Sequence, residues 1–120
     1  RNCSCAPEGK KIKLLIGDAK EILSERNEII RENSFDLVFI DADKREYTAY
    51  IDLVYPLVSV GGWIIADNTL WDGHIIDPAY DKDKQTLGLR AFNDYVTQDE
   101  RLEQVILPIR DGLTLIHKIR

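Results

Sequence analysis

Short apolar runs alternate with segments of helical periodicity along most of this chain. The apolar runs predict strands, because they are rich in β-branched residues and leucine and end at charged or turn-forming residues. These runs are residues 11–17, 35–40, 63–67, 105–109 and 113–119. The run FDLVFI is almost unbroken, which is typical of a strand that is covered on both faces in a parallel sheet.

Between these runs, apolar residues recur every three or four positions, which predicts amphipathic helices. We expect helices over residues 19–31, 45–58 and 86–98. Asp18 and Thr86 are typical N-caps for the first and third of these helices, and Pro56 should end the second. A break is expected at the glycine pair Gly61-Gly62.

The order of these elements predicts one domain of the α/β class with an open, mostly parallel sheet. Asp111-Gly112 separates the last two apolar runs, which predicts that the sheet ends in an antiparallel hairpin. Residues 1–10 are predicted to form an irregular N-terminal segment. Residues 69–85 form a long loop rich in Asp, Gly and Pro, and loops of this length are often functional.

Composition narrows the classes of protein to which the chain can belong. It has 120 residues and a net charge of −5, which gives no broad electrostatic footprint for nucleic acid or an anionic membrane. No apolar run approaches the roughly 20 residues of a membrane-spanning helix. Cys3 and Cys5 stand without a second cysteine pair, so they indicate neither a disulfide framework nor a zinc site, and a cytoplasmic protein is expected.

Polar oxygen-bearing side chains stand at the ends of two predicted strands. Asp41 follows residues 35–40, and Asp67 and Asn68 stand at the end of the run 63–67. Ligands of open α/β sheets bind at the carboxyl ends of the strands, and neighbouring strands lie about 4.8 Å apart. A Mg²⁺ ion would relieve the repulsion between the two carboxylates and accept the Asn68 amide oxygen as a third ligand. Helix capping by the two aspartates is equally compatible with the spacing.

Lys44 follows Asp41 by one helical turn. A neighbouring cation and partial burial would lower its pKa, so that it could act as a general base. A solvated lysine in the first turn of a helix is the alternative interpretation.

Three segments, in this order, resemble a known enzyme family: FDLVFIDADKREYTAY, VGGWIIADNTLWDG and LPIRDGLTL. They resemble the cation-dependent class I O-methyltransferases that use S-adenosylmethionine, and within them the caffeoyl-CoA O-methyltransferase-like branch with its bacterial relatives. The likeness extends over residues 11–120. It implies a Rossmann-like class I methyltransferase fold.

The resemblance also implies a role for individual residues. Metal ligation is implied for Asp41, Asp67 and Asn68, with Mg²⁺ as the expected ion and Ca²⁺ or Mn²⁺ as alternatives. The role of the base that takes the acceptor's hydroxyl proton is implied for Lys44. Contacts with the methyl donor are implied for Gly17, Asp18, Ala19, Asp41 and Asp43. A position near the acceptor is implied for Trp71, whereas Asp111 is expected to serve mainly in the turn.

The glycine-rich donor loop of this family, and the acid-ended strand that follows it, have no counterpart in the sequence. The chain is therefore expected to correspond to the C-terminal part of the methyltransferase domain. Strand 11–17 would then lack its neighbours, and we expect it to be displaced, poorly packed, or paired directly with residues 35–40.

The implied reaction is methyl transfer to a vicinal-diol, catechol-like or other small hydroxylated acceptor. One alternative is methylation of 5-hydroxyuridine in tRNA. Another is an inactive interaction module that keeps half of the fold. No membrane partner is expected, and the full-length form is expected to be a homodimer.

Overall fold

A computed structural model describes residues 7–120, which form a four-stranded sheet with helices packed against it. The strands are β1 (Phe35–Ile40), β2 (Val58–Asp67), β3 (Leu102–Leu107) and β4 (Leu113–Lys118). The α-helices are α1 (Ala19–Ser24), α2 (Tyr47–Val54) and α3 (Lys84–Gln98). Short 3₁₀ helices occur at Pro7–Lys11, Lys44–Glu46, Tyr55–Leu57, Trp71–Ile76 and Pro78–Tyr80. The two cysteines and most of the predicted irregular segment 1–10 lie outside the described residues.

The strands are ordered β1-β2-β4-β3 across the sheet. β1 pairs with β2 in parallel, and β4 is antiparallel to both of its neighbours. Three of these four strands therefore point in the same direction, and the predicted α/β fold with its terminal antiparallel hairpin is confirmed. The described sheet is mixed, with one parallel and two antiparallel pairings. The sequence pattern did not predict that the returning strand β4 would insert between β2 and β3.

The hydrophobic core lies on one face of the sheet, under α2 and α3. Tyr47 and Phe92 are fully buried there and meet edge to face, with ring centroids 5.3 Å apart. On the opposite face, Leu37 and Phe39 remain 55% and 54% exposed. The expectation that residues 35–40 are covered on both faces is therefore wrong for the described part of the chain, because both long helices pack on the same side.

The predicted strand over residues 11–17 does not form. Residues 7–11 make a 3₁₀ helix, and residues 12–16 have no regular structure. Leu14 and Ile16 are 79% and 88% exposed. The expectation of a displaced, poorly packed segment is confirmed, whereas pairing with β1 does not occur in the described sheet.

Two helices begin or end at residues other than those predicted, because local side chains form hydrogen bonds there. Asp18 caps α1 as predicted, but α1 ends at Ser24, and the Asn27 side chain then accepts hydrogen bonds from the backbone of Ile29 and Ile30 in a turn. The cap of α3 is Asp83 in place of Thr86, because the Asp83 carboxylate accepts hydrogen bonds from both the backbone and the hydroxyl of Thr86.

The predicted break at Gly61-Gly62 is a bulge inside β2. The register shifts there, since Phe35 is paired with Val58 but Leu37 with Trp63. Gly61 has a φ of +87°, and a Cβ on Gly62 would lie 2.9 Å from the carbonyl oxygen of Asp36. Pro56 acts as predicted: α2 ends at Val54 and a 3₁₀ turn follows.

In the part of the chain that the structure describes, no helix has the length and apolar character needed to cross a bilayer.

Candidate functional site

The carboxyl ends of β1 and β2 place the predicted metal ligands side by side. Ile40 is paired with Ala66 in the parallel ladder, so Asp41 and Asp67 occupy equivalent positions on neighbouring strands. Asn68 follows with a left-handed φ of 62°. This register brings the three predicted residues to one edge of the sheet.

Asp111 fixes the orientation of the Asn68 side chain. The Asn68 amide nitrogen donates to both carboxylate oxygens of Asp111, at 2.8 and 3.0 Å. The backbone carbonyl of Asp111 also accepts hydrogen bonds from Leu70 and Trp71. Because the nitrogen of the amide is held in this way, its oxygen is left to face a ligand. Asp111 thus combines the predicted turn role with a second contact, which joins residues 43 positions apart and has no local sequence signal.

Lys44 is buried against the same strand ends, with 8% of its surface exposed. Its ammonium donates to Asp41 Oδ1 and to the hydroxyl of Tyr47, both at 2.9 Å. The Tyr47 hydroxyl donates in turn to the backbone carbonyl of Asp67 at 2.8 Å. A continuous hydrogen-bonded chain therefore joins the Asp41 carboxylate to the backbone of Asp67, and the interpretation of Lys44 as a solvated lysine is wrong.

Opposing effects act on the pKa of Lys44. Burial lowers the pKa, while the hydrogen bonds to Tyr47 and Asp41 and the charge of Asp41 raise it, and the net result lies above the ordinary lysine value. Burial also raises the pKa of Tyr47. Lys44 is therefore an ammonium at neutral pH in this arrangement, and Tyr47 is a neutral hydroxyl. Tyr47 lies one helical turn from Lys44, and this spacing was the signal in the sequence that could have indicated the contact.

The chemistry of the donor set fits a hard divalent cation. Asp41, Asp67 and Asn68 offer carboxylate and amide oxygens, which Mg²⁺ and Ca²⁺ prefer. Within residues 7–120, no group of three or more His, Cys, Asp or Glu side chains is placed to hold a metal ion. The set is thus two carboxylates with an amide, and any further ligands would come from water or an acceptor.

Two of the residues expected at the methyl donor face one cavity. Ala19 and Asp41 line a space of about 290 Å³ whose other walls are mainly apolar side chains of β1 and α2. Gly17, with a φ of +150°, lies just before α1, and Asp18 is occupied in capping that helix. Neither lines this cavity.

Asp43 is bound elsewhere. Its carboxylate accepts hydrogen bonds from Arg45 Nε at 3.0 Å and from Arg45 Nη2 at 2.5 Å. The bonds to the Arg45 side chain and backbone hold the pKa of Asp43 down at about 2. The structure therefore joins Asp43 to Arg45 at the surface and does not bring it into the cavity with Ala19.

A second cleft opens beside the ligand set. It has a volume of about 610 Å³, and its polar lining consists of Asp67, Asn68, Asp72, Arg110 and Asp111. Trp71 does not line it. The Trp71 side chain packs against the core cluster and meets His74 edge-on, with ring centroids 6.4 Å apart. Asp72, which the sequence did not single out, lines the cleft. It lies within a left-handed turn at residues 71–73.

Comparisons with known proteins agree with this architecture. A family model described as O-methyltransferase matches residues 2–119. The "Probable caffeoyl-CoA O-methyltransferase 1" of Dictyostelium discoideum is 41% identical over 109 residues, which are 91% of this chain and 47% of that protein.

Solved structures superpose over similar lengths. A protein of Corynebacterium glutamicum matches with a TM-score of 0.82 and 26% identity, over 96% of this chain and 50% of the other. The O-methyltransferase from Bacillus cereus, solved in complex with SAH, matches with a TM-score of 0.67 and 28% identity, over 82% of this chain and 44% of the other.

The chain spans about half the length of the curated relatives that it matches. The family model nevertheless covers almost all of the residues present, and the solved structures share the fold. The chain therefore belongs to the O-methyltransferase family.

Proposed function

We propose that this chain carries the metal-binding and proton-accepting part of an S-adenosylmethionine-dependent, divalent-metal-dependent O-methyltransferase. One observation carries the proposal. The ladder register places Asp41 beside Asp67, and Lys44 is buried at 2.9 Å from Asp41 with its hydrogen bonds already formed. Helix capping by Asp41 and Asp67 would not need a buried lysine ammonium beside the two carboxylates, so the arrangement favours a site over a pair of caps.

The ligand set suits a metal that binds an acceptor through its oxygens. When bound, a divalent cation would act as a Lewis acid and template for two neighbouring oxygens. Asp41, Asp67 and the amide oxygen of Asn68 would hold it. S-adenosylmethionine would supply the methyl group. Ala19 and Asp41 line the cavity that would receive it.

Lys44 has the role of taking the acceptor's hydroxyl proton. It must first lose its own proton, and the Asp41 carboxylate opposes this loss by raising the pKa of Lys44. Neutralising the Asp41 charge would remove part of this effect. The Tyr47 hydroxyl orients Lys44, because it accepts a hydrogen bond from Nζ and is itself fixed by the backbone of Asp67.

The cleft favours a small acceptor over tRNA. Asp67, Asp72 and Asp111 line it together with a single cationic side chain, Arg110. A phosphate backbone would meet repulsion there, whereas a neutral vicinal diol would not. Methylation assays on bulk tRNA and on a panel of catechols separate these two acceptor classes.

Titration calorimetry with Mg²⁺ and Mn²⁺ tests the ligand set directly. Asp67→Asn should weaken binding strongly by removing one of two anionic ligands, while Asp94→Asn, an exposed change on α3, should leave it unaltered. A second titration adds S-adenosylmethionine with and without the cation. Absence of cation binding to the unmodified chain would remove the metal from the proposal.

The base role of Lys44 has its own test. In protein that transfers methyl groups, Lys44→Ala should lower kcat by about 10²- to 10⁴-fold, the usual contribution of a positioned base. Cation binding should still be detected in this variant, because Asp41, Asp67 and Asn68 all remain. Turnover that is unchanged in the variant would show that another group accepts the proton.

A further inference from the structure

Arg90 of α3 makes an unusual set of contacts with the segment 71–81, which we call the cleft loop. Its Nε donates to the carbonyl of Ile75 at 2.8 Å, and its Nη2 donates to the carbonyls of His74 at 3.3 Å and Asp77 at 3.1 Å. Its Nη1 donates to the Asp81 carboxylate at 2.9 Å. One guanidinium therefore holds four acceptors spread along the loop.

The cleft loop has few other polar ties to the rest of the molecule. Its N-terminal end is joined through Trp71 to the carbonyl of Asp111. Beyond that point, the side-chain hydrogen bonds found between residues 72–82 and another element of the described chain come from Arg90. The backbone amide of Asp83, the cap of α3, also donates to the carbonyl of Tyr80 at 3.0 Å. The remaining bonds of the loop are local, such as Tyr80 to Asp77. Arg90 thus provides most of the hydrogen bonds that join the cleft loop to the rest of the described chain.

The cleft loop also has a conformation that needs support. Trp71 and Asp72 adopt left-handed φ values of 50° and 52°, which are costly for residues other than glycine. Asp72 is the loop residue that lines the cleft beside Asp67 and Asn68. Displacement of the loop would therefore move the wall of the cleft, while Asp41, Lys44 and Asp67 would keep their own contacts.

The helix that carries Arg90 is itself fixed to the site. At Gly88, α3 approaches the backbone of Lys44 and Arg45 so closely that a Cβ would lie 2.5 Å from the Lys44 carbonyl oxygen. Five residues beyond Gly88, the Asn93 side chain donates to the carbonyl of Thr69 at 3.0 Å. Arg90 lies between these two contacts on α3. The same helix therefore contacts both the cleft loop and the segment that contains Lys44.

We infer that Arg90 is a positioning residue that latches the cleft loop and thereby sets how the acceptor is bound. The inference rests on the proposed function for its effect on the acceptor, but not for the latch itself. Arg90 touches no reacting atom. Its planar fork of donors suits acceptors that are spread along the loop, whereas the three donors of a lysine all start from one nitrogen.

Hydrogen exchange on the chain tests the latch without any activity. In Arg90→Gln, amides of residues 72–80 should exchange about tenfold faster, while those of β2 and β4 should be unchanged. Arg90→Lys should behave like Arg90→Gln, because charge alone does not restore the fork. Asp81→Asn, which weakens one contact in four, should give a smaller increase. Arg101→Gln removes the ion pair of Arg101 with Asp99 away from the loop and is the matched control.

Exchange that stays unchanged in Arg90→Gln would overturn the latch. Exchange that rises equally in the loop and in the sheet would also overturn it, because it would indicate a loss of global stability.

Steady-state kinetics test the consequence for the acceptor. In protein that transfers methyl groups, Arg90→Gln should raise the acceptor KM by about tenfold while kcat changes by less than about threefold. The affinity for the methyl donor should be unaltered. An unchanged acceptor KM would overturn the positioning role even if the loop exchanges faster. If the unmodified protein transfers no methyl group, the proposed function fails, and the exchange experiment still decides whether Arg90 is a latch.

Discussion

At the scale of single residues, the proposed site depends on side chains that hold other side chains. Tyr47 fixes Lys44, and Asp111 fixes Asn68 through two hydrogen bonds. Groups in this outer position set the orientation of metal ligands, and their loss commonly lowers metal affinity without removing a ligand. Asp111 is therefore the residue at which this dependence can be measured most directly.

Asp111→Ala should weaken divalent-cation binding by about 10- to 100-fold, because the Asn68 amide becomes free to rotate its oxygen away. Asp111→Asn keeps one acceptor oxygen, so its effect should be smaller. Titration calorimetry measures both, and Asp94→Ala serves as the control for the loss of one negative charge. Equal affinity in Asp111→Ala and the unmodified chain would mean that Asn68 is oriented by other contacts or is not a ligand.

At the scale of secondary-structure elements, α3 is the helix that connects the parts of the site. It meets the Lys44 segment through Gly88, the cleft loop through Arg90 and the end of β2 through Asn93. Helical periodicity predicted the helix itself, which begins at Lys84, two residues before the predicted start, and is capped by Asp83. The contacts that it makes were not predictable, because they join residues up to 45 positions apart, as Tyr47 and Phe92 are.

Gly88→Ala should lower the free energy of unfolding by about 1 to 3 kcal/mol, because the new methyl group meets backbone atoms that cannot move aside. Helix propensity alone predicts the opposite, a gain of about 1 kcal/mol. Urea denaturation of the variant decides between the two.

Ala91→Gly, at an exposed position of the same helix, measures the propensity effect by itself and should destabilise by about 1 kcal/mol. A Gly88→Ala variant that is more stable than the unmodified chain would show that α3 does not depend on this close approach.

At the scale of the whole molecule, helices cover one face of the sheet, and the other face is open among residues 7–120. Leu37 and Phe39 of β1 are more than half exposed, and Trp63 and Val105 continue the apolar surface across the sheet. Open apolar faces of this kind favour association. The expected homodimer and cytoplasmic location remain predictions, as does the acceptor.

The 120-residue chain should therefore self-associate as its concentration rises, and Phe39→Lys should reduce this association by placing a charge on the open face. Light scattering after size exclusion measures the mass. Gln98→Lys introduces the same charge at an exposed position of α3 and should have little effect. If the unmodified chain stays monomeric at all concentrations, the prediction of self-association is wrong.

Local signals in the sequence predicted much of the fold. Strand β1, the Asp18 cap, the effect of Pro56 and the Asp-Gly hairpin each depend on residues a few positions apart. The predicted strand over residues 11–17 failed for a different reason. Its apolar residues favour a strand, but a strand also requires a hydrogen-bonding neighbour, and none of the described strands provides one.

Hydrophobic periodicity and short motifs were enough to predict the class of the fold, the family and the presence of Asp41, Lys44, Asp67 and Asn68 at strand ends. The tertiary structure added that β4 inserts beside β2, that Asp111 holds Asn68, that the Tyr47 hydroxyl reaches the backbone of Asp67, and that Arg90 holds the cleft loop. The physical reason is distance along the chain. Sheet register and helix packing bring together groups that no local interaction connects.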